Sequence, residues 1–109
     1  MEEGIIALVL ELDDKNFTKE VKLSEKPIVL VDFYADWEDK CKEHEKILPA
    51  LSEKYEHVKV CRVNVDKAQK IAARYGILTV PTILVFRQGQ IINMQIGVQS
   101  EENLANMIM

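Results

Sequence analysis

The seven residues Ile28-Val29-Leu30-Val31-Asp32-Phe33-Tyr34 form a run whose apolar character is broken only at Asp32, and Pro27 stands immediately before them. A run of that length, rich in β-branched residues, reads as a strand covered on both faces, because a strand with one face in water alternates apolar with polar. The flanking chain must therefore supply helices above and below it. Pro27 forbids continuation of any helix that leads into the strand. Asp32 is the anomaly, since a carboxylate inside such a strand needs partners or a task.

The pattern turns helical from Trp37 to Tyr55, with Cys41, His44, Leu48, Leu51 and Tyr55 at spacings of three and four and Asp36 placed to cap the start. Pro49 removes the backbone bond to the Glu45 carbonyl, so a kink or break is expected there. Upstream, Ile5 to Leu12 reads as a first strand, and Asp14 as the N-cap of a short helix facing inward through Phe17, Val21 and Leu23. Val58 to Val65 alternates as another strand, with Asp66 read as the N-cap of a short helix through Tyr75 that Gly76 closes. Ile83–Phe86 and Ile91–Ile96 make a hairpin around Arg87-Gln88-Gly89-Gln90. Ser100 caps a final helix through Leu104 and Ile108, with Glu101 and Glu102 at its favourable end. The order β-α-β-α-β-α-β-β-α predicts an α/β domain with a central mixed sheet and helices on both faces. At 109 residues, with no Gly/Ser/Pro-rich linker, one domain over 1–109 is expected.

Charge narrows the function classes. Fourteen Lys and Arg against eighteen Asp and Glu give a formal net charge of -4, without the basic surplus that phosphate neutralisation needs, so no nucleic-acid partner is expected. The apolar runs are far shorter than the roughly 20 residues of a membrane span, so no membrane partner is expected either. Acidic Glu2 and Glu3 stand where a secretory signal carries Lys or Arg, and Cys41 and Cys61 are too few and too far apart for a disulfide framework. A cytoplasmic location is the expectation. Cys61 reads as a core thiol. Glu38, Cys41, His44 and Glu45 fall short of a zinc ligand set, so no metal and no cofactor is expected, and His44 is read as a partly exposed helix residue.

The stretch Val31-Asp32-Phe33-Tyr34-Ala35-Asp36-Trp37-Glu38-Asp39-Lys40-Cys41-Lys42 delivers a strand end into a helix start. Together with Gly76-Ile77-Leu78-Thr79-Val80-Pro81-Thr82, with Gly89 eight residues after Pro81 and Gly97 eight after that, it resembles the thioredoxin family over essentially the whole chain. That family reads V-D-F-x-A-x-W-C-G-P-C-K, and V-D-F, the Ala, the Trp, the second Cys and the Lys stand here in register. Glu38 occupies the first Cys position, and Asp39-Lys40 replaces Gly-Pro. Many members also carry a proline five residues after the second Cys, where this chain has Lys46, with Pro49 eight after it.

The resemblance implies a thioredoxin fold. It implies that Glu38 replaces the attacking thiolate, that Cys41 is the retained resolving thiol, and that Asp32 matches the buried acid serving it as proton acceptor. The two-thiol cycle needs both sulfurs, so at most monothiol exchange is expected at Cys41. The resemblance further implies a cis bond at Val80-Pro81 and a shallow client groove formed by Trp37, Val80, Pro81, Gly97 and Val98. The expected partner is a protein or peptide client beside Pro81, with glutathione a further candidate and oligomeric state left open. Two functions follow: a thioredoxin-like protein of thiol–disulfide homeostasis with an incomplete site, or a non-catalytic module that binds peptide in the Trp37/Pro81 groove.

Overall fold

A computed structural model describes residues 8–109. Five strands and four helices follow in the order β1 (Val9–Leu12), α1 (Phe17–Lys22), β2 (Ile28–Tyr34), α2 (Cys41–Lys54), β3 (Val58–Asn64), α3 (Gln69–Arg74), β4 (Thr82–Arg87), β5 (Gln90–Ile96) and α4 (Glu101–Met107). They build one mixed sheet of order β1-β3-β2-β4-β5. β3 pairs in parallel with β1 and β2, while β4 runs antiparallel to β2 and β5. The expected first strand begins upstream of Val9, and Ile5 to Ala7 lie outside the described residues.

The continuous apolar run of β2 is explained by the two cores it divides. Val29, Val31 and Phe33 face Phe17 and Val21 of α1 and Ala68 and Ile71 of the α3 region. Ile28 and Leu30 face Leu48 and Leu51 of α2 and Leu104 and Met107 of α4. Successive strand side chains point to opposite faces, so only a strand covered on both sides can be apolar throughout. The hairpin turn places Gln88 at φ 52 and Gly89 at φ 78, the two left-handed residues of a tight turn that matches strand twist.

Three aspartates do other work than the sequence pattern assigned them. Asp14 does not cap α1, whose N-cap is Asn16; its carboxylate accepts the backbone N–H groups of Ile71 at 2.9 Å and Lys70 at 3.4 Å, satisfying donors at the start of α3. Asp66 does not cap α3, which begins at Gln69. Asp36 does not cap α2, because the helix begins at Cys41 after a chain of tight turns over residues 35–43; Asp36 instead accepts from Asn64 Nδ2 at 3.3 Å. Leu23 lies beyond α1 and is exposed. α2 runs unbroken through Pro49, although the Glu45 carbonyl necessarily lacks its helical donor. Ser100 caps α4 as expected, its Oγ accepting the N–H of Asn103 at 3.0 Å.

Candidate functional site

The C-terminal end of β2 turns through Ala35 to Lys40 into α2, and this junction gathers the singled-out residues. Asp32 and Arg62 are register partners on neighbouring strands, both pointing toward α2. His44, one turn into α2 from Cys41, faces them from above. The three form a buried polar cluster: Asp32 Oδ2 accepts from Arg62 Nε at 2.9 Å, and Asp32 Oδ1 lies 3.0 Å from His44 Nδ1. The other ring nitrogen, His44 Nε2, accepts the backbone N–H of Gln99 at 2.8 Å. An amide can only donate, so Nε2 carries no hydrogen and the ring proton sits on Nδ1, donated to Asp32.

His44 is thus no partly exposed helix residue. It is fully buried and clamps α2 to the segment leading into α4, with both nitrogens committed and neither free for a metal. Among the described residues there is no group of three potential ligands that could hold an ion.

Cys41 is 3% exposed, and both cysteines are free thiols. The Cys41 thiol is raised above its ordinary value chiefly by burial; the Asp32 and Glu38 carboxylates push in the same direction, while a backbone hydrogen bond at Ala35 and the charge of Arg62 oppose them. Arg62 also donates from Nη2 to the Cys41 carbonyl at 3.3 Å and stacks on the Tyr34 ring at 3.8 Å. A cleft of about 50 Å³, bordered by Tyr34, Asp36, Glu38, Cys41, Glu45 and Arg62, opens above the thiol. Asp32 acts on Cys41 as a nearby charge, while its two oxygens are bonded to His44 and Arg62. Cys61 lies wholly within the core on the opposite face, where burial pushes its thiol up to about 12.

Glu38 is half-buried, and its Oε2 accepts the N–H of Lys40 at 3.2 Å. Its carboxylate therefore ties the turn that starts α2. Trp37 is 69% exposed, yet its indole Nε1 donates to Asp66 Oδ2 at 3.0 Å, fixing the ring's edge to the chain after β3. The Val80–Pro81 bond is cis. Pro81 is buried, Val80 half-buried and Val98 exposed. Gly97, at φ 95, donates its N–H to the Pro81 carbonyl at 2.8 Å, which brings Pro81, Gly97 and Val98 together at one end of the β4–β5 ladder.

Arg62, Gln99, Asp66 and the inward role of His44 were missed in the sequence. A charged residue within the β-branched strand Val58–Asn64, able to stand beside Asp32, was the available signal for Arg62. The bond from His44 to a residue 55 positions away left no local trace.

The family model for thioredoxin matches residues 8–109. Among known proteins, a thioredoxin of Synechocystis sp. is 36% identical over 97 residues, covering 88% of this chain and 90% of its own length. A thioredoxin of Rickettsia felis is 38% identical over 96 residues, covering 87% and 90%. In three dimensions a mutant thioredoxin from Halobacterium salinarum superposes with a TM-score of 0.86 at 30% identity, covering 98% of this chain and 93% of that one. With its doubly covered β2, its β2–α2 junction and these matches over nearly its whole length, the chain belongs to the thioredoxin family.

Proposed function

We propose that this thioredoxin-family protein serves thiol–disulfide physiology by holding an extended protein or peptide client beside Pro81 and Trp37, without the two-thiol reductase cycle. The observation that carries this reading is the state of the β2–α2 junction: Glu38 stands at the first position of the motif, and Cys41 is 3% exposed, with burial raising its thiol above the ordinary value. A reductase cycle forms a mixed disulfide with one thiolate and resolves it with a second. Here a carboxylate fills the first position, and the only other cysteine lies in the opposite core. The elements suited to a client are Trp37, projecting into solvent with its ring edge fixed, and the backbone beside Pro81 and Gly97 with Val98 exposed, which suit the addition of an extended strand.

Two measurements test this. Reduction of insulin disulfides driven by a thioredoxin reductase should give no catalytic turnover, and Glu38→Cys should recover only part of the family's activity, because Asp39-Lys40 alters the charge that tunes the new thiol. Robust turnover by the unaltered protein would overturn the reading. Trp37 is the single tryptophan of the chain, so its fluorescence reports groove occupancy; an apolar, cysteine-free extended peptide should perturb it saturably, and Val98→Glu should weaken that response. A response only to peptides bearing a disulfide, accompanied by a covalent adduct at Cys41, would favour monothiol exchange instead.

A further inference from the structure

The sheet has two edges, and they are unlike. β1 contributes four described residues, one of them Glu11. β5 contributes seven, Gln-Ile-Ile-Asn-Met-Gln-Ile, with no charge and no proline, in a chain that is 29% charged. Natural edge strands are ordinarily blunted by shortness, lysines, prolines or bulges, because a long neutral edge is a template for another strand; β5 carries only the last of these, at the Val85/Phe86 irregularity.

The two faces of β5 differ in chemistry. Met94 and Ile96 stand opposite Leu84 and Thr82, and Ile91 opposite Phe86, on the side of α1 and α3. The irregularity between Val85 and Phe86 turns Ile92 out beside them, and these four apolar side chains are 48–63% exposed. On the α4 side, Asn93 and Gln95 border a cleft of about 280 Å³ whose other polar walls are Gln99, Asn103 and Asn106. Carboxamides and Met107 line that cleft, without a single charge.

The backbone of β5 pairs in regular register with β4 from Asn93 to Ile96. Gly97 donates to Pro81, and antiparallel ladders alternate bonded with non-bonded pairs, so Gln95 and Asn93 turn their backbone groups toward β4 while Met94 and Ile96 turn theirs to the open edge. The Met94 N–H, turned away from β4, is met by the Asn93 side-chain oxygen at 2.9 Å, a local bond that an incoming strand must displace.

We propose that β5 is the interface for a second copy of this chain, the two edges pairing antiparallel about a dyad at Met94 to make one ten-stranded sheet. Residues directly opposite in an antiparallel pair lie on the same face. A dyad at Met94 therefore sets Met94 against its copy, Ile92 against Ile96 and Asn93 against Gln95, so that apolar meets apolar on one face and carboxamide meets carboxamide on the other. A dyad between two residues would set amides against apolar side chains. One at Gln95 would leave Asn93 facing the side-chain-less Gly97. The same strand thus satisfies its own pattern, as a self-complementary two-fold interface requires. The neutrality of the strand matters because each copy carries -4, and only an uncharged stretch avoids placing like charges directly opposite.

Sedimentation velocity over a range of concentrations should show a reversible monomer–dimer equilibrium. Met94→Lys, which sets two ammonium groups opposite each other, should weaken it by about tenfold or more, the equivalent of about 1.4 kcal/mol, with circular dichroism and thermal unfolding unchanged because Met94 is half exposed. Thr18→Lys on α1 serves as the charge control and should leave association unaltered. Register is read by crosslinking in a Cys41→Ser background. Met94→Cys should oxidise to a 94–94 disulfide, since bonded antiparallel pairs place Cα atoms about 5.5 Å apart, within disulfide reach. Asn93→Cys, two positions out of register with its copy, should not. A monomer at every concentration, a dimer indifferent to Met94→Lys, or crosslinking at 93 as efficient as at 94 would each overturn the proposal.

Discussion

Asp32 is the residue through which the junction is organised, and its partners explain why a carboxylate is tolerated inside β2. Both oxygens are satisfied, one by Arg62 and one by His44, and an unpaired buried charge is among the costliest defects a core can hold. The proton-acceptor role expected of Asp32 toward Cys41 is therefore in competition with a structural one. His44→Ala would strand the Gln99 N–H and one Asp32 oxygen in the core, and should lower unfolding stability by about 2–6 kcal/mol, at about 1–3 kcal/mol for each unsatisfied group. Urea unfolding with and without the substitution measures it; a loss under 1 kcal/mol would mean that water replaces the ring. Asp32 was legible as an anomaly in the sequence because it interrupts an apolar run. Its partners were not: Arg62 lies 30 positions from it, and His44 is turned inward with its other nitrogen held by Gln99, 55 positions further on, and nothing in a one-dimensional pattern encodes which of several charges folds back.

Helix and strand identities were readable because each carries its period: β2 continuous, β3 alternating, α2 spaced by three and four. Helix starts were less so. Asp14, Asp36 and Asp66 each precede a helix as a cap would, yet each is used across the fold, Asp14 on α3, Asp36 on Asn64 and Asp66 on Trp37. Local capping rules assume that an acid's nearest free donors are its own, and in this fold the ends of several elements meet at one rim of the sheet. Asp14→Ala should consequently cost about 1 kcal/mol, a typical cap loss, and should raise amide exchange at Lys70 and Ile71 in α3. Exchange increased in α1 alone would restore the cap assignment read from sequence. Glu38→Lys removes the acceptor of the Lys40 N–H and reverses a charge at the helix start, so it should destabilise by about 0.3–1 kcal/mol at low salt. An unchanged or higher unfolding midpoint would show that Glu38 is not held there by the turn.

At the scale of the whole molecule, the two cores make stability sensitive to alkali. Burial pushes the Cys61 thiol up to about 12 from 9.0. Between those values the folded chain keeps the proton that the unfolded chain has lost, so the folded state binds more protons and stability falls as pH rises. The contribution is whole below about pH 9 and declines at about 1.4 kcal/mol per pH unit above it. Tyr34, also raised by burial and by its bond to Glu11, acts in the same direction at higher pH. Cys61→Ala should be less stable at pH 7 but show a shallower alkaline limb between pH 9 and 11 in urea unfolding; parallel limbs would contradict the assignment. The fold and its family were legible from the sequence, whereas the accessibility of the motif thiol was not, because it depends on how Arg62, Glu38 and their neighbours border the small cleft above it, which no spacing reveals. That accessibility separates the proposed client-binding role from monothiol exchange. The most direct measurement is the pH dependence of native-state alkylation of Cys41 in a Cys61→Ala background. The expected result is a slow reaction at pH 7 that accelerates only above the free-thiol pKa of about 8.5, without a lasting glutathione adduct. Rapid modification at pH 7 with a stable mixed disulfide to glutathione would contradict it and make Cys41 a working monothiol.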